Sequence, residues 1–239
     1  MRFIHDRMGS YFLAFSAAVL VLTSMSWAAD SKAPSDIEKR LEASADVLNE
    51  IMSTPDKAIP DKVMHAAKCI AVIPSMVKVA FVFGGNHGKG VATCRTAEGW
   101  SAPAPITVTG GSWGLQLGGQ AVDLVMVITN DKGMQQLLSS KFKLGADASA
   151  AAGPVGRDAA ADTDWKMKAQ VLTYSRTRGV FAGISLDGAT IRQDKDSTRE
   201  FYGHMVTFNS SLTGAIEPPK DAYPFLNTLA KWAKEAAEK

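Results

Sequence analysis

The chain of 239 residues has little of what usually betrays a function. It holds two cysteines, Cys69 and Cys94, with no Cys-x-x-Cys and no His pair beside them, so no metal site is indicated. Its formal charge is only +2, and no basic stripe or RNP-like aromatic pattern runs through it, which sets nucleic acid aside as a partner. No repeat or long linker divides it. Its main uncharged run, Tyr11–Met25, is shorter than the ~20 residues a membrane span needs. What is left, 46% hydrophobic and 21% charged, is the profile of an ordinary globular protein.

That apolar run, preceded by Arg2 and Arg7 and followed by Ser26-Trp27-Ala28, has the layout of a cleaved signal peptide over residues 1–28. No cysteine stands at the cleavage position to carry a lipid. Removing the segment lowers the charge from +2 to +1 and makes the mature protein an exported one, periplasmic or secreted. An oxidising compartment favours a Cys69–Cys94 disulfide over two buried thiols or a metal site.

Ser35-Asp36-Ile37-Glu38 is a capping box, and Ile37, Leu41, Ala45, Leu48 and Met52 then make one apolar face of a helix ending near Ser53. The helix carries a net −3, which suits docking on its own domain and suits an anionic membrane poorly. A short helix follows from Pro60. Cys69–Ile73 reads as a strand ended by Pro74, and Val77–Phe83 as another. Gly84–Gly90 reads as a hairpin turn before the strand Val91–Arg95. It fails as a phosphate loop, because Phe83 and Gly90 stand where glycine and Ser or Thr are needed. Trp100–Thr109 and Leu115–Thr129 continue the strands, with Gly110-Gly111 and Gly118-Gly119 as bends.

Gly110–Gly114 spells the G-x-S-x-G of serine hydrolases around Ser112, with Asp123 and His204 in triad order. The helix that should follow the serine is missing, so this is a remote alternative. A helix capped by Asn130 or Asp131 precedes Ser140–Asp158, where Ala and Gly dominate between Lys141, Lys143 and Arg157. This is either a small-residue strand packed tightly by its neighbours or a close-approach surface for a ligand, with the cations holding an anion. Ala169–Thr177 alternates as a half-buried strand. Arg178-Gly179 and Asp187-Gly188 read as turns, the second making a hairpin. Asp196-Ser197 should cap a short helix, and after Pro218-Pro219 a final helix carries Phe225, Leu226, Leu229, Trp232 and Ala236 on one face. The expected fold is α+β: a single domain with a largely antiparallel β-sheet, barrel-like closure left open, between N- and C-terminal helices.

KCIAVIPSMVKVAFVFGGNHGKGVATCR, the WSAP that starts at Trp100, NDKGMQQLLSSKFKLGADASAAAGPVGR and YSRTRGVFAGISLDGATIR together resemble the SYLF domain family. The resemblance covers residues 58–203, after an N-terminal amphipathic helix in 29–57 and before a C-terminal linker and helix in 204–239. It implies a lipid-binding module without catalysis or cofactor. Eukaryotic members bind phosphoinositides, are often joined to SH3 or FYVE domains, and some bind actin filaments. The exported stand-alone form is similar to bacterial members, and for an exported protein the expected anionic ligand is an envelope phospholipid or glycolipid in place of a phosphoinositide. Lys89, Arg95, Lys141, Lys143, Arg157, Arg176 and Arg178 are the candidate contacts to an anionic head group. The alternative is a structural or protein-interaction module of the cell envelope with an envelope protein as partner.

Overall fold

The computed structural model describes residues 33–54, 59–80, 83–113, 118–154, 169–177, 180–183, 186 and 188–238. The chain from Pro34 onward makes one compact α+β unit. Helices α1 (Asp36–Ser53) and α2 (Asp61–Ala66) lead into strands β1 (Cys69–Ala80), β2 (Phe83–Thr96), β3 (Gly99–Trp100), β4 (Ala104–Trp113) and β5 (Gly118–Ile128). Then come α3 (Asp131–Leu138), β6 (Lys141–Lys143), β7 (Ala150–Ala152), β8 (Val171–Thr177), β9 (Val180–Gly183) and β10 (Thr190–Gln193). Helices α4 (Lys195–Tyr202), α5 (Phe208–Leu212) and α6 (Tyr223–Ala237), the last preceded by a 3-10 turn at Lys220–Ala222, complete the described elements. None of the described helices is long and apolar enough to cross a membrane.

The strands form one sheet in the order β6-β10-β4-β2-β1-β5-β8-β7, with β3 beside β2 and β9 beside β8. All pairings are antiparallel except β7 with β8. Eight strands laid flat span ~34 Å from first to last at the usual spacing. Yet β6 and β7, at the two ends of that order, are joined by residues 144–149 alone. Seven Cα steps reach at most ~25 Å, so the sheet has to curl until its edges approach, giving a half-barrel. Leu144 marks the approach: it bridges Ala148 and exchanges backbone hydrogen bonds with Gly188 and Ala189.

The curl gives β1 a core on each face. Ile70 and Val72 point with Val125, Val127 and Leu172 toward α1 and α6, against Leu48, Ile51, Phe225 and Leu229. Cys69, Ala71 and Ile73 point into the hollow with Ile106, Val108, Phe142, Ile191 and Phe208. Burial on both faces is why Cys69–Ile73 reads as a continuous apolar run rather than an alternation. The α1 capping box forms as expected, with Ser35 and Glu38 bonding each other's backbone N–H. On its C-terminal half, Asn49 accepts a 3.0 Å hydrogen bond from the Trp232 indole of α6.

The structure departs from the sequence pattern wherever glycine or proline suggests a break. Pro74 does not end a strand: β1 runs through it with a bulge, and Ser75 sits there at φ 51° with its N–H held by Asp123. A bulge is one of the few sheet positions that tolerates the missing proline N–H. Gly84–Gly90 is not a turn but part of β2, paired throughout with β4 and, from Gly84 to His87, also with β1. A Cβ on Gly88 would lie 2.6 Å from Ile73, and one on Gly90 would overlap the Val72 carbonyl, so these glycines let β2 close over the bulged strand. Gly110-Gly111 likewise stays inside β4, where a Cβ on Gly110 would meet Asn86 at 2.6 Å. Ala189 N–H bonds the Leu186 carbonyl, but β9 and β10 do not pair as a hairpin: they join opposite ends of the sheet. The cap of α4 is Asp194, two residues before the expected Asp196.

Cys69 and Cys94 face each other directly in the β1–β2 register, Cα atoms 3.9 Å apart, and are joined in a disulfide within the inner core. Closing a loop of this length should contribute about 3.5 kcal/mol. Paired Cys69→Ala and Cys94→Ala substitutions should therefore lower the urea-unfolding free energy by about that much, and reductant should have no further effect on the variant. Gly90→Ala should cost about 2–3 kcal/mol by overpacking, read as a fall in denaturation midpoint.

Candidate functional site

The small-residue stretch resolves first. Ala150–Ala152 pairs with Val171–Thr173, and Gly153 donates to the Thr173 carbonyl. A Cβ on Gly153 would overlap the ring of Tyr174, which is fully buried, its phenol pushed up by that burial. At Gly153 the backbone's close approach is thus to the chain's own aromatic ring, while 155–158 lie outside the described residues.

The cations gather elsewhere. In the register, Lys141 of β6 opposes Arg192 of β10, Arg192 opposes Thr107 of β4, and Thr107 opposes Lys89 of β2. Directly opposed residues share a face of the sheet. One step along, Lys143, Thr190, Thr109 and His87 make a second row on that same face. The alternate residues Phe142, Ile191 and Val108 fill the inner core, so the pleat drives Lys89, Lys141, Lys143 and Arg192 outward. Lys141, Lys89, Arg192 and His87 then border an open cleft of about 620 Å³, closed on one side by Asp194, Lys195 and Asp196 at the start of α4.

Asp194 organises this corner. Its carboxylate caps α4 through Ser197 N–H and Ser197 Oγ, and it takes the Lys89 ammonium at 2.8 Å. Arg40 of α1 lies 3.8 Å from the same carboxylate and donates to Ser197 Oγ. Burial alone would push the Asp194 pKa up, but hydrogen bonds from Lys89 and Ser197 more than offset it and hold the group below its ordinary value. Burial lowers Arg40 against the pull of Asp194.

The remaining candidates divide. Lys141, Lys143 and Arg192 make no ion pair among the described residues. Arg95 is spent on the fold: it donates to the carbonyls of Ala67 and Met64, closing the end of α2, and stacks 4.8 Å over Trp100. Arg176 clamps Asp123 at 2.6 Å and pairs with Glu50, tying β5 and β8 to α1. Arg157 and Arg178 lie outside the described residues. Ser112 sits in β4 opposite Gly84, and Asp123 is engaged by Arg176 and Ser75 N–H. Arg192, Lys195 and His87 were absent from the sequence-derived set. Arg192 was readable from the alternation of Ile191 and Arg192 in a short strand, but only the register brings it beside Lys141.

Residues 109–232, just over half of the chain, match the family model Ysc84, described as "Las17-binding protein actin regulator". The chain belongs to the Ysc84 family of SYLF-domain proteins. It is 31% identical over 208 residues to the SH3 domain-containing YSC84-like protein 1 of Rattus norvegicus, covering 83% of this chain and 61% of that protein. It is 34% identical over 178 residues to Protein YSC84 of Saccharomyces cerevisiae, covering 73% of this chain and 38% of the yeast protein. The chain thus spans about three fifths of the rat relative and under two fifths of the yeast one.

Because the folded pKa of Asp194 is depressed, its contribution to stability is complete above the unfolded carboxylate pKa, ~3.9, and is lost as pH falls through the folded value. Asp194→Ala should cost roughly 2–4 kcal/mol near neutral pH, through the lost cap and the unpaired Arg40. Urea midpoints measured from pH 7 down to pH 2 should fall less steeply in Asp194→Ala than in the parent.

Proposed function

We propose that this SYLF domain is an exported, non-catalytic module that recognises an anionic lipid head group through the outward face of β6, β10, β4 and β2. The observation that carries the reading is the cross-strand row Lys141–Arg192–Thr107–Lys89 beside an open cleft, in which Lys141 and Arg192 are unpaired among the described residues. Unpaired exposed cations offer phosphate charge-assisted hydrogen bonds without first giving up a protein partner. Guanidinium at Arg192 adds a planar, bidentate donor set, and Lys141 and Lys89 add mobile point charges. Thr107 and Ser140 supply hydroxyl groups on the cleft wall.

Export rests on the signal-like segment 1–28, and the Cys69–Cys94 disulfide supports an oxidising destination. In that setting the anion is a phospholipid or glycolipid of the envelope. The acidic α1 takes no part in head-group contact: its apolar face is consumed by α6 and the sheet.

A second reading, a protein-binding module, is favoured by the family description as Las17-binding and by the yeast relative named LAS seventeen-binding protein 3. The two readings separate in vesicle co-sedimentation. The chain from Ala29 onward should bind anionic vesicles and not zwitterionic ones, and the binding should weaken with salt. Each basic residue near an anionic surface is worth ~1 kcal/mol, so Lys141→Ala/Arg192→Ala should weaken binding by ~30-fold. Unchanged binding in that variant would overturn the site, and no binding to any vesicle would leave the protein-binding reading.

A further inference from the structure

A second cleft, sharing no residue with the basic one, opens where the β2–β3 turn, the loop 213–218 and the start of α6 converge. It holds about 500 Å³, within the range that takes a ligand of several side chains. Its apolar lining includes Trp100, Ile216, Pro218 and Tyr223. Tyr223 is the most conspicuous, 47% exposed at the first position of α6. Glu98 and Glu217 also line the cleft, both exposed, and no Lys or Arg is among the lining residues. Arg95, next to the lining residue Thr96, is committed to Trp100 and to the α2 carbonyls.

The walls are built rather than accidental. Thr96 Oγ1 donates to Gly99 O and accepts from Glu98 N–H, which pins the β2–β3 turn. Gly99 and Gly214 adopt φ 133° and 79°, and a Cβ on Gly214 would come within 3.0 Å of Thr96, so the loop packs directly on the turn. Ala215 N–H bonds Ser210 O and anchors the loop to α5. Strand β3 pairs only with β2 among the described residues, so its other edge carries no strand partner there.

We propose that this groove is a docking site for a linear peptide segment of a partner protein, carrying lysine or arginine next to an apolar side chain. The apolar residue packs on Tyr223, Ile216 and Pro218, and the cation meets the carboxylates of Glu98 and Glu217. An edge strand offers main-chain hydrogen bonds to an extended peptide, the recurrent way a short segment gains affinity. A lone ammonium ligand would leave most of the groove and the strand edge unused. The peptide site is independent of the basic face, so one molecule holds an anionic surface and a cationic segment at once.

The test is panning of a random displayed dodecapeptide library on the disulfide-bonded chain, with counter-selection on Glu98→Lys/Glu217→Lys, followed by fluorescence anisotropy of recovered peptides. All three positions are exposed and outside both cores, so these variants and Tyr223→Ala should fold. Recovered peptides should pair Lys or Arg with an apolar neighbour. Their binding should fall at least tenfold in Tyr223→Ala and in Glu98→Lys/Glu217→Lys, and stay unchanged in Lys141→Ala/Arg192→Ala. No enrichment over the counter-selection, recovery of acidic peptides, or Tyr223-dependent binding of phosphatidylcholine vesicles instead of peptide would overturn the proposal.

Discussion

Residues 144–149 must carry the chain from one end of the sheet order to the other, and a flat sheet is too wide for them. Much else follows from that constraint. The sheet curls, its concave side fills with Ile73, Ile106, Phe142, Ile191 and Phe208, and its convex side accepts α1 and α6. Just past that stretch, Gly153 has no side chain where one would collide with the Tyr174 ring. The importance of the stretch is therefore mechanical, and the cations that flank it act through the strands they sit on.

Helix and sheet are joined by charge as well as by apolar packing. Arg176 bonds Asp123 and Glu50, and Asp194 gathers Lys89, Arg40 and Ser197, so α1 is tied to the sheet at two separated points. Ion pairs of this kind are retained where losing one partner would strand the other in a partly dry corner. Placing Asp194 beneath the basic cleft has a further result. It fixes Lys89 at the cleft wall while leaving Lys141 and Arg192 free of ion pairs among the described residues. The cleft is thus preorganised on one side and open on the other. The acidic, aromatic groove beside β3 gives the molecule a second surface of opposite character.

The errors of sequence-level inference cluster at glycine and proline. Gly88 and Gly90 look like hairpin residues because turns are where glycine is most often needed, yet here they serve the close crossing of two long strands. Pro74 looks like a strand end and is a bulge. In both cases the local signal is real, since each marks unusual backbone, but it does not say whether a neighbouring strand requires it. The candidate cations divide for the same reason. Arg95 and Lys141 are alike as letters, but one closes a helix end and the other faces solvent.

The sequence by itself determined the local matters: the capping box of α1, the apolar faces of α1 and α6, the doubly buried run of β1, the likeness to SYLF domains, and a cysteine pair suited to a disulfide. Each depends on residues within a turn or a strand of one another, or on letters matched in order. The tertiary structure alone decided that β9 and β10 lie far apart in the sheet order, that Arg192 joins Lys141 and Lys89, and that Trp100 meets Tyr223 across a groove. These depend on strand register and on curvature, which arise from contacts between segments far apart in the chain, and no local propensity encodes them.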